Sequence, residues 1–254
     1  ADLRAAFARY SVLHFPDQPM TNDQQVAFSQ RFGPLEATKV GSFGAGTPFV
    51  ILSNVGEDGQ VVPDDHQLNM VHKANSLWHS DSSFKPVPAL ASFLSAKTVP
   101  PEGGETEYAS MILAWDDLPE ATKSKVDGKV ALHHFATSRN RIDPDMVSVA
   151  EHDELPPVRQ IMVRDIPETG KRALYVGSHT GAIEGVTDDV ASTLIDELLD
   201  FATAPHKVYT HKWREGDAVL WDNRAVVHRG RPFARDKHAR VMIRTTIAGD
   251  RPTV

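Results

Sequence analysis

Trp78-His79-Ser80-Asp81 is the stretch on which the reading of this chain turns. In extended backbone, side chains at i and i+2 point to the same face. The spacing therefore predicts a strand on which His79 and Asp81 look one way and Ser80 the other. One imidazole and one carboxylate side by side are two ligands of a facial triad. Two His and one carboxylate leave three positions of an octahedron open, the arrangement of non-haem Fe(II) oxygenases. A surface His beside a capping Asp has the same spacing, so the rest of the chain must supply a third ligand and a use for the open positions.

Val226-Val227-His228-Arg229-Gly230 places a histidine at the end of an apolar run, which alone suits a core or turn residue equally well. Trp221-Asp222-Asn223-Arg224 precedes it and Arg240-Val241-Met242-Ile243-Arg244 follows. On a strand, Arg240, Met242 and Arg244 share one face. Two guanidinium groups turned inward need anionic partners, because buried charge must be paired. A small dicarboxylate or a substrate carboxylate held by bidentate forks would serve. The alternative is a pair of surface salt bridges.

The 254 residues are 41% hydrophobic, enough for a substantial core. Net charge is −7 with no long basic run, which argues against nucleic acid or an anionic membrane as a partner. No apolar stretch approaches a membrane span, and no signal-peptide pattern precedes the first helix of a chain that begins at Ala1. There is no cysteine, so disulfides, thiolate metal sites and a Cys nucleophile are excluded, and a cytoplasmic protein is expected. Any metal must rest on oxygen and the twelve histidines.

Leu3, Ala6, Phe7 and Tyr10 have helical spacing, and Ser11 to Phe15 reads as a strand. Thr21-Asn22-Asp23-Gln24 is a capping box opening a second helix, with Phe28 and Phe32 on its inner face. Phe49 to Ser53 and Ala89 to Lys97 read as strands, and Glu105 to Tyr108 as extended. Ala114, Trp115 and Leu118 mark a short helix and Pro119 to Val126 another. Val190, Leu194, Leu198 and Phe201 define one face of a helix opened by Thr187. Ala173 to Gly177, Lys207 to Lys212, Asp217 to Trp221, Ala225 to His228 and Arg240 to Ala248 are strand-like. His133 and His134 read as strand residues near the surface, and Trp115 and Trp213 as core. Many strands, few helices and Gly/Pro turns argue for a mainly β protein with flanking helices (α+β), a sandwich or jelly roll. Residues 36–46, 54–75 and 138–157 lack periodicity and are expected to be lid segments.

The motifs together resemble the taurine dioxygenase family of Fe(II)- and 2-oxoglutarate-dependent oxygenases, and within it the 2,4-dichlorophenoxyacetate dioxygenase branch. The resemblance runs from about Tyr10 to Val254. It is densest in Leu77 to Phe84, in Val99-Pro100-Pro101-Glu102-Gly103-Gly104-Glu105-Thr106-Glu107, in Leu174 to His179 and in Trp221 through Thr246. It implies one domain over 1–254 with the double-stranded β-helix fold, using Fe(II), 2-oxoglutarate and O2. His79, Asp81 and His228 match the family's iron ligands and catalytic centre. Arg240 matches the arginine on the distal carboxylate of 2-oxoglutarate, and Thr106 the hydroxyl assisting it. Asn75 matches a polar active-site residue and Arg244 an arginine at the anionic end of the substrate. Lys39 matches a lysine of the herbicide branch, which favours a carboxylate substrate. Relative to the family, the opening β-segment is missing, and one extra residue between His228 and Arg240 leaves Arg231 or Arg235 as alternatives to Arg240.

The resemblance implies hydroxylation of a small anionic organic acid of the aryloxyalkanoate type, with release of succinate and CO2, by a homo-oligomer. The alternatives are a sulfonate or sulfate-ester dioxygenase of the taurine type, a zinc hydrolase, and a non-catalytic small-acid binding protein.

Overall fold

The computed structural model describes residues 3–38, 46–63, 66, 73–143 and 154–254. Helix α1 (Leu3–Tyr10) leads into β1 (Val12–Phe15), then α2 (Asn22–Gln30), β2 (Phe49–Ser53), β3 (Ala91–Thr98) and β4 (Thr106–Ser110). The middle contains α3 (Met111–Asp117), α4 (Glu120–Val126), β5 (Val130–His133), α5 (Phe135–Asn140), β6 (Val158–Ile161), β7 (Val163–Ile166), β8 (Lys171–Leu174) and β9 (Thr180–Ile183). The last third runs through α6 (Asp188–Ala202), β10 (Val208–His211), β11 (Ala218–Asp222), β12 (Val226–Gly230) and β13 (Val241–Ile247). The paired strands are antiparallel. A five-stranded sheet has the order β1-β11-β3-β13-β2 and a three-stranded sheet the order β10-β4-β12. The middle segment adds β6-β5-β9 and the hairpin β7-β8.

Strand alternation splits the five-stranded sheet into two apolar faces. Ala91, Phe93, Ala218, Leu220 and Ile247 pack with Phe7, Phe28 and Phe32 of the N-terminal helical segment. Leu94, Ala96, Val219, Trp221 and Met242 face the other way and meet Tyr108 and Val226 of the three-stranded sheet. With both faces covered, Phe93 is 1% exposed, and truncating such a phenylalanine costs about 3–5 kcal/mol. Thr21 caps α2 as the sequence predicts: its hydroxyl accepts from Gln24 N–H and the Gln24 side chain returns to Thr21 N–H. The inner side of α2 also carries Gln25, whose side chain donates to Phe93 O and Ile243 O and accepts from Ser95.

Two expectations are corrected, and four short strands are added. His133 is buried at the end of β5, stacked on Tyr175 and 3.2 Å from Thr180 Oγ1, while His134 is half-buried. Val190 is 53% exposed; the buried stripe of α6 is Ala191, Leu194, Ile195, Leu198, Leu199 and Ala202. Strands β5, β6, β7 and β9 escape a periodicity reading because four-residue segments carry too little pattern. Of the expected lids, residues 39–45, 64, 65, 67–72 and 144–153 lie outside the described residues, and helix α5 takes up the start of the last one.

Candidate active site

His79 and His228 face each other across an isolated antiparallel bridge. His79 N–H donates to His228 O at 3.0 Å and His228 N–H to His79 O at 2.8 Å. This exchange sets the residues directly opposite each other, and their ring centroids are 4.2 Å apart. Asp81 does not continue a strand, as the i, i+2 argument had it. The chain enters a turn there, and Ser82 has φ 55°. The carboxylate is positioned by a closed circuit of hydrogen bonds. Asp81 N–H and Trp221 Nε1–H both donate to Asn223 Oδ1, Asn223 Nδ2 donates to Ser92 Oγ, and Ser92 Oγ donates to Asp81 Oδ2 at 2.7 Å. His79 Nε2 is then 3.8 Å from Asp81 Oδ1 and His228 Nε2 3.7 Å from Asp81 Oδ2. One ligand atom from each of the three residues falls within 4.8 Å of the others.

The protonation states suit a cation. His79 Nδ1–H donates to Leu77 O at 2.7 Å, so its Nε2 keeps the lone pair. Burial lowers the pKa of His79, and lowers that of His228 further with His79 beside it, so both imidazoles are neutral. Burial alone would raise Asp81, but Arg244, the two neighbouring imidazoles and the Ser92 hydroxyl together outweigh it and hold the carboxyl well below the usual range. Two neutral nitrogens and one carboxylate at this spacing fit a divalent iron.

A cleft of about 540 Å³, open to solvent, lies over this group. Leu52, Leu94, Trp221, Arg240 and Arg244 line it from or beside the five-stranded sheet, and Thr106 and His228 from the three-stranded sheet. Arg240 is 6% exposed, yet its side chain donates only to a neutral acceptor, Gly104 O at 3.1 Å, and its Nε has no partner among the described residues. Burial, with Arg235 nearby, lowers its pKa to about 10, so it stays a cation at neutral pH. A buried guanidinium left unpaired among the described residues is suited to a carboxylate. Thr106 Oγ1 sits in the same wall and accepts from Trp213 Nε1 at 2.9 Å. Gly104, at φ 70°, makes room for the arginine: a Cβ there would lie 3.1 Å from Arg240 Nε.

Arg244 donates to Asp81 Oδ1, while its buried Nε has no partner among the described residues. Half-buried Asn75 lines the cleft, and its carbonyl accepts from Gly230 N–H. Arg231 and Arg235 border the cleft too, but Arg231 has a side chain 44% exposed and lies 3.6 Å from Glu107. Lys39 lies outside the described residues. The sequence reading missed Ser92 and Asn223, which orient Asp81. It took Trp213 for core alone, whereas its indole N–H holds Thr106. His179, buried against His79 and Phe84, packs beside the group without lining the cleft.

An antiparallel β scaffold, a His/Asp/His group and a buried arginine unpaired among the described residues, all in one cleft, fit a mononuclear metal oxygenase that uses an acidic co-substrate. Comparison with known proteins narrows the class. The family model for "Taurine catabolism dioxygenase TauD, TfdA family" matches residues 1–246, and the chain belongs to that family. It is 38% identical over 258 residues to the (S)-phenoxypropionate/alpha-ketoglutarate-dioxygenase of Sphingobium herbicidovorans, covering 98% of this chain and 86% of that protein. It is 41% identical over 228 residues to the alpha-ketoglutarate-dependent 2,4-dichlorophenoxyacetate dioxygenase of Cupriavidus pinatubonensis, covering 88% and 79%. Among solved structures, the crystal structure of AAD-2 in complex with Mn(II) and N-oxalylglycine superposes with a TM-score of 0.91 at 38% identity, over 100% of this chain and 88% of that one. The protein is an alpha-ketoglutarate-dependent (2-oxoglutarate-dependent) dioxygenase, an oxidoreductase that uses Fe(II) and O2. The zinc-hydrolase and non-catalytic readings are set aside with that membership.

Proposed function

We propose that this dioxygenase hydroxylates an aryloxyalkanoate-type carboxylate, with His79, Asp81 and His228 as the metal ligands. The observation that carries the reading is the pair of guanidinium groups in one cleft with those ligands, each with an Nε unpartnered among the described residues. Arg240, helped by Thr106, takes the distal carboxylate of 2-oxoglutarate. Arg244, already against Asp81, presents its remaining edge to the substrate's acidic group, with Asn75 lining the same cleft; Lys39 is assigned to the substrate on the family resemblance. Relatives named for sulfate esters are more distant, at 29% identity for the Pseudomonas putida enzyme, which favours the carboxylate over the sulfonate or sulfate-ester reading. Facing β sheets over the cleft are the arrangement expected of a double-stranded β-helix (jelly roll), and one catalytic domain over 1–254 accounts for the chain.

When bound, Fe(II) with 2-oxoglutarate and O2 supplies the oxidising chemistry, and succinate and CO2 leave as co-products. The residues of the chain supply position and exclusion of water. Arg240 and Thr106 fix one end of the co-substrate, which aims its other end at the His79/His228 side of the cleft. Ser92 and Asn223 hold Asp81 in register with the two imidazoles. Arg244 sets the anionic end of the substrate so that the carbon beside the ether oxygen faces the metal ligands. Hydroxylation there gives a hemiacetal, which falls apart to a phenol and a 2-oxo acid. Segments 36–46, 54–75 and 138–157 act as lids; Asn54, whose side chain accepts from Arg240 N–H and donates to Arg235 O and His238 O, anchors one of them to the arginine segment.

The cysteine-free composition suits a cytoplasmic enzyme, and the family resemblance carries the expectation of a homo-oligomer. No described helix is long and apolar enough to cross a membrane. A substrate panel read as succinate formation with Fe(II) and 2-oxoglutarate tests the reading. Aryloxyacetates and aryloxypropionates should turn over with release of a phenol. Preferred turnover of taurine or an alkyl sulfate would overturn the substrate assignment.

A further inference from the structure

A second group of potential ligands lies outside the cleft. His14 is on β1, His211 ends β10 and Asp217 immediately precedes β11. His14 Nε2 is 3.4 Å and His211 Nε2 3.6 Å from Asp217 Oδ2, and the two rings are 4.4 Å apart. The potential ligand atoms lie within 4.8 Å of one another. A tetrahedral ion with bonds of about 2.0–2.1 Å sets its ligand atoms roughly 3.3–3.4 Å apart. Both distances to Asp217 are shorter than their counterparts in the His79/Asp81/His228 group.

Two further observations separate this group from an ordinary ion pair. His211 is 3% exposed, and its Nε2 has no hydrogen-bond partner among the described residues although it faces the carboxylate. A buried ring nitrogen left unsatisfied is costly, and an ion would satisfy it. The ligands are also held from outside. Asp217 accepts from Arg214 N–H at 3.0 Å and from Asp17 N–H at 3.4 Å, and Tyr209 OH is 3.4 Å from His211 Nδ1. Such outer contacts orient metal ligands. The His14 side chain is one-third exposed, which leaves an approach for the ion and a fourth position for water.

We propose that His14, His211 and Asp217 form a second metal site, for a divalent transition cation of the Zn(II) class. Two imidazoles, one carboxylate and no thiolate in a compact, four-coordinate spacing select such an ion over Mg²⁺ or Ca²⁺. The ion ties β1, at the edge of the five-stranded sheet, to β10, at the edge of the three-stranded sheet. His211 packs edge-on against Trp213 at 4.4 Å, and Trp213 Nε1 donates to Thr106 Oγ1. The clip therefore braces the wall of the cleft from behind.

The test uses the metal-stripped full-length chain and Co(II) as the probe, because four-coordinate Co(II) absorbs visible light far more strongly than six-coordinate Co(II). Wild type should bind two Co(II) per chain in equilibrium dialysis, one of them with the intense four-coordinate spectrum. His14→Ala, a change at a partly exposed position, should lose that equivalent and its spectrum, keep the other, and retain Fe(II)-dependent turnover. In a His228→Ala background, Zn(II) should still raise the thermal midpoint, and adding His14→Ala should abolish the rise. One equivalent in wild type, or two with an unchanged spectrum in His14→Ala, would overturn the proposal.

Discussion

Replacing Arg240 with alanine separates the roles of the two arginines. Arg240 is buried and cationic, and among the described residues its side chain donates only to Gly104 O, which leaves its Nε edge for a carboxylate. A charge-assisted hydrogen bond of this kind contributes about 1.5–3 kcal/mol. At about 1.36 kcal/mol per factor of ten, Arg240→Ala should weaken 2-oxoglutarate binding by roughly ten- to 150-fold. Arg244 is four residues on, about 13 Å away along a regular strand at about 3.3 Å per residue, and it already contacts Asp81. One small dicarboxylate end cannot engage both forks equally, so Arg244→Ala should leave 2-oxoglutarate affinity within about twofold and weaken the substrate instead. Arg240→Lys keeps the charge and loses the fork, and should fall between wild type and Arg240→Ala. The assay is anaerobic titration of the Fe(II) enzyme with 2-oxoglutarate, followed by the metal-to-ligand absorption. The unliganded protein reports independently: removing an unpaired buried cation should leave its thermal midpoint unchanged or raised. If Arg244→Ala loses 2-oxoglutarate while Arg240→Ala keeps it, the assignment is wrong, and the two roles must be exchanged or moved to Arg231 or Arg235.

Four other outcomes are expected. His79→Ala and His228→Ala should abolish turnover and Fe(II) binding at this site while leaving the far-ultraviolet circular dichroism unchanged, since the two positions pair through backbone N–H and C=O groups that alanine keeps. Ser92→Ala frees Asp81 Oδ2 and should weaken Fe(II) binding about 10–100-fold, read by equilibrium dialysis, with the aryloxyalkanoate KM little changed. Gly104→Ala forces a side chain at φ 70° and 3.1 Å from Arg240 Nε; it should destabilise the fold by about 1–2 kcal/mol in urea unfolding and raise the KM for 2-oxoglutarate. Burial holds His133 down at about 3, below its ordinary 6.5. The unfolded state therefore takes up a proton first as pH falls, and stability present above pH 6.5 is lost progressively down to about pH 3, by an amount on the order of 5 kcal/mol. His133→Gln should flatten urea midpoints over that window, and an unchanged slope would remove His133 as the cause.

The sequence by itself determined the elements whose signals are local. The Thr21 capping box, the Thr187 start of α6 and the short apolar or β-branched runs of β11 and β13 depend on neighbours within a few residues, and they form where the sequence puts them. It also carried the proposed ligand set, because His79, Asp81 and His228 sit in motifs dense enough to name a family. Tertiary structure decided what depends on residues far apart in the chain. The i, i+2 rule expected a strand to aim Asp81; instead a turn aims it, held by Ser92 and Asn223, 11 and 142 residues away. His133 read as near-surface because a four-residue strand has too little pattern to show which face is covered, and only the packing of Tyr175 and Thr180 buries it. Whether Arg240 is a paired surface cation or a buried one was likewise undecidable from its own stretch of sequence, since its burial and the lack of an acidic partner among the described residues are properties of the assembled sheets. The same holds for His14, His211 and Asp217: nothing local joins them, and they meet because β1 pairs with β11 while β10 ends beside them.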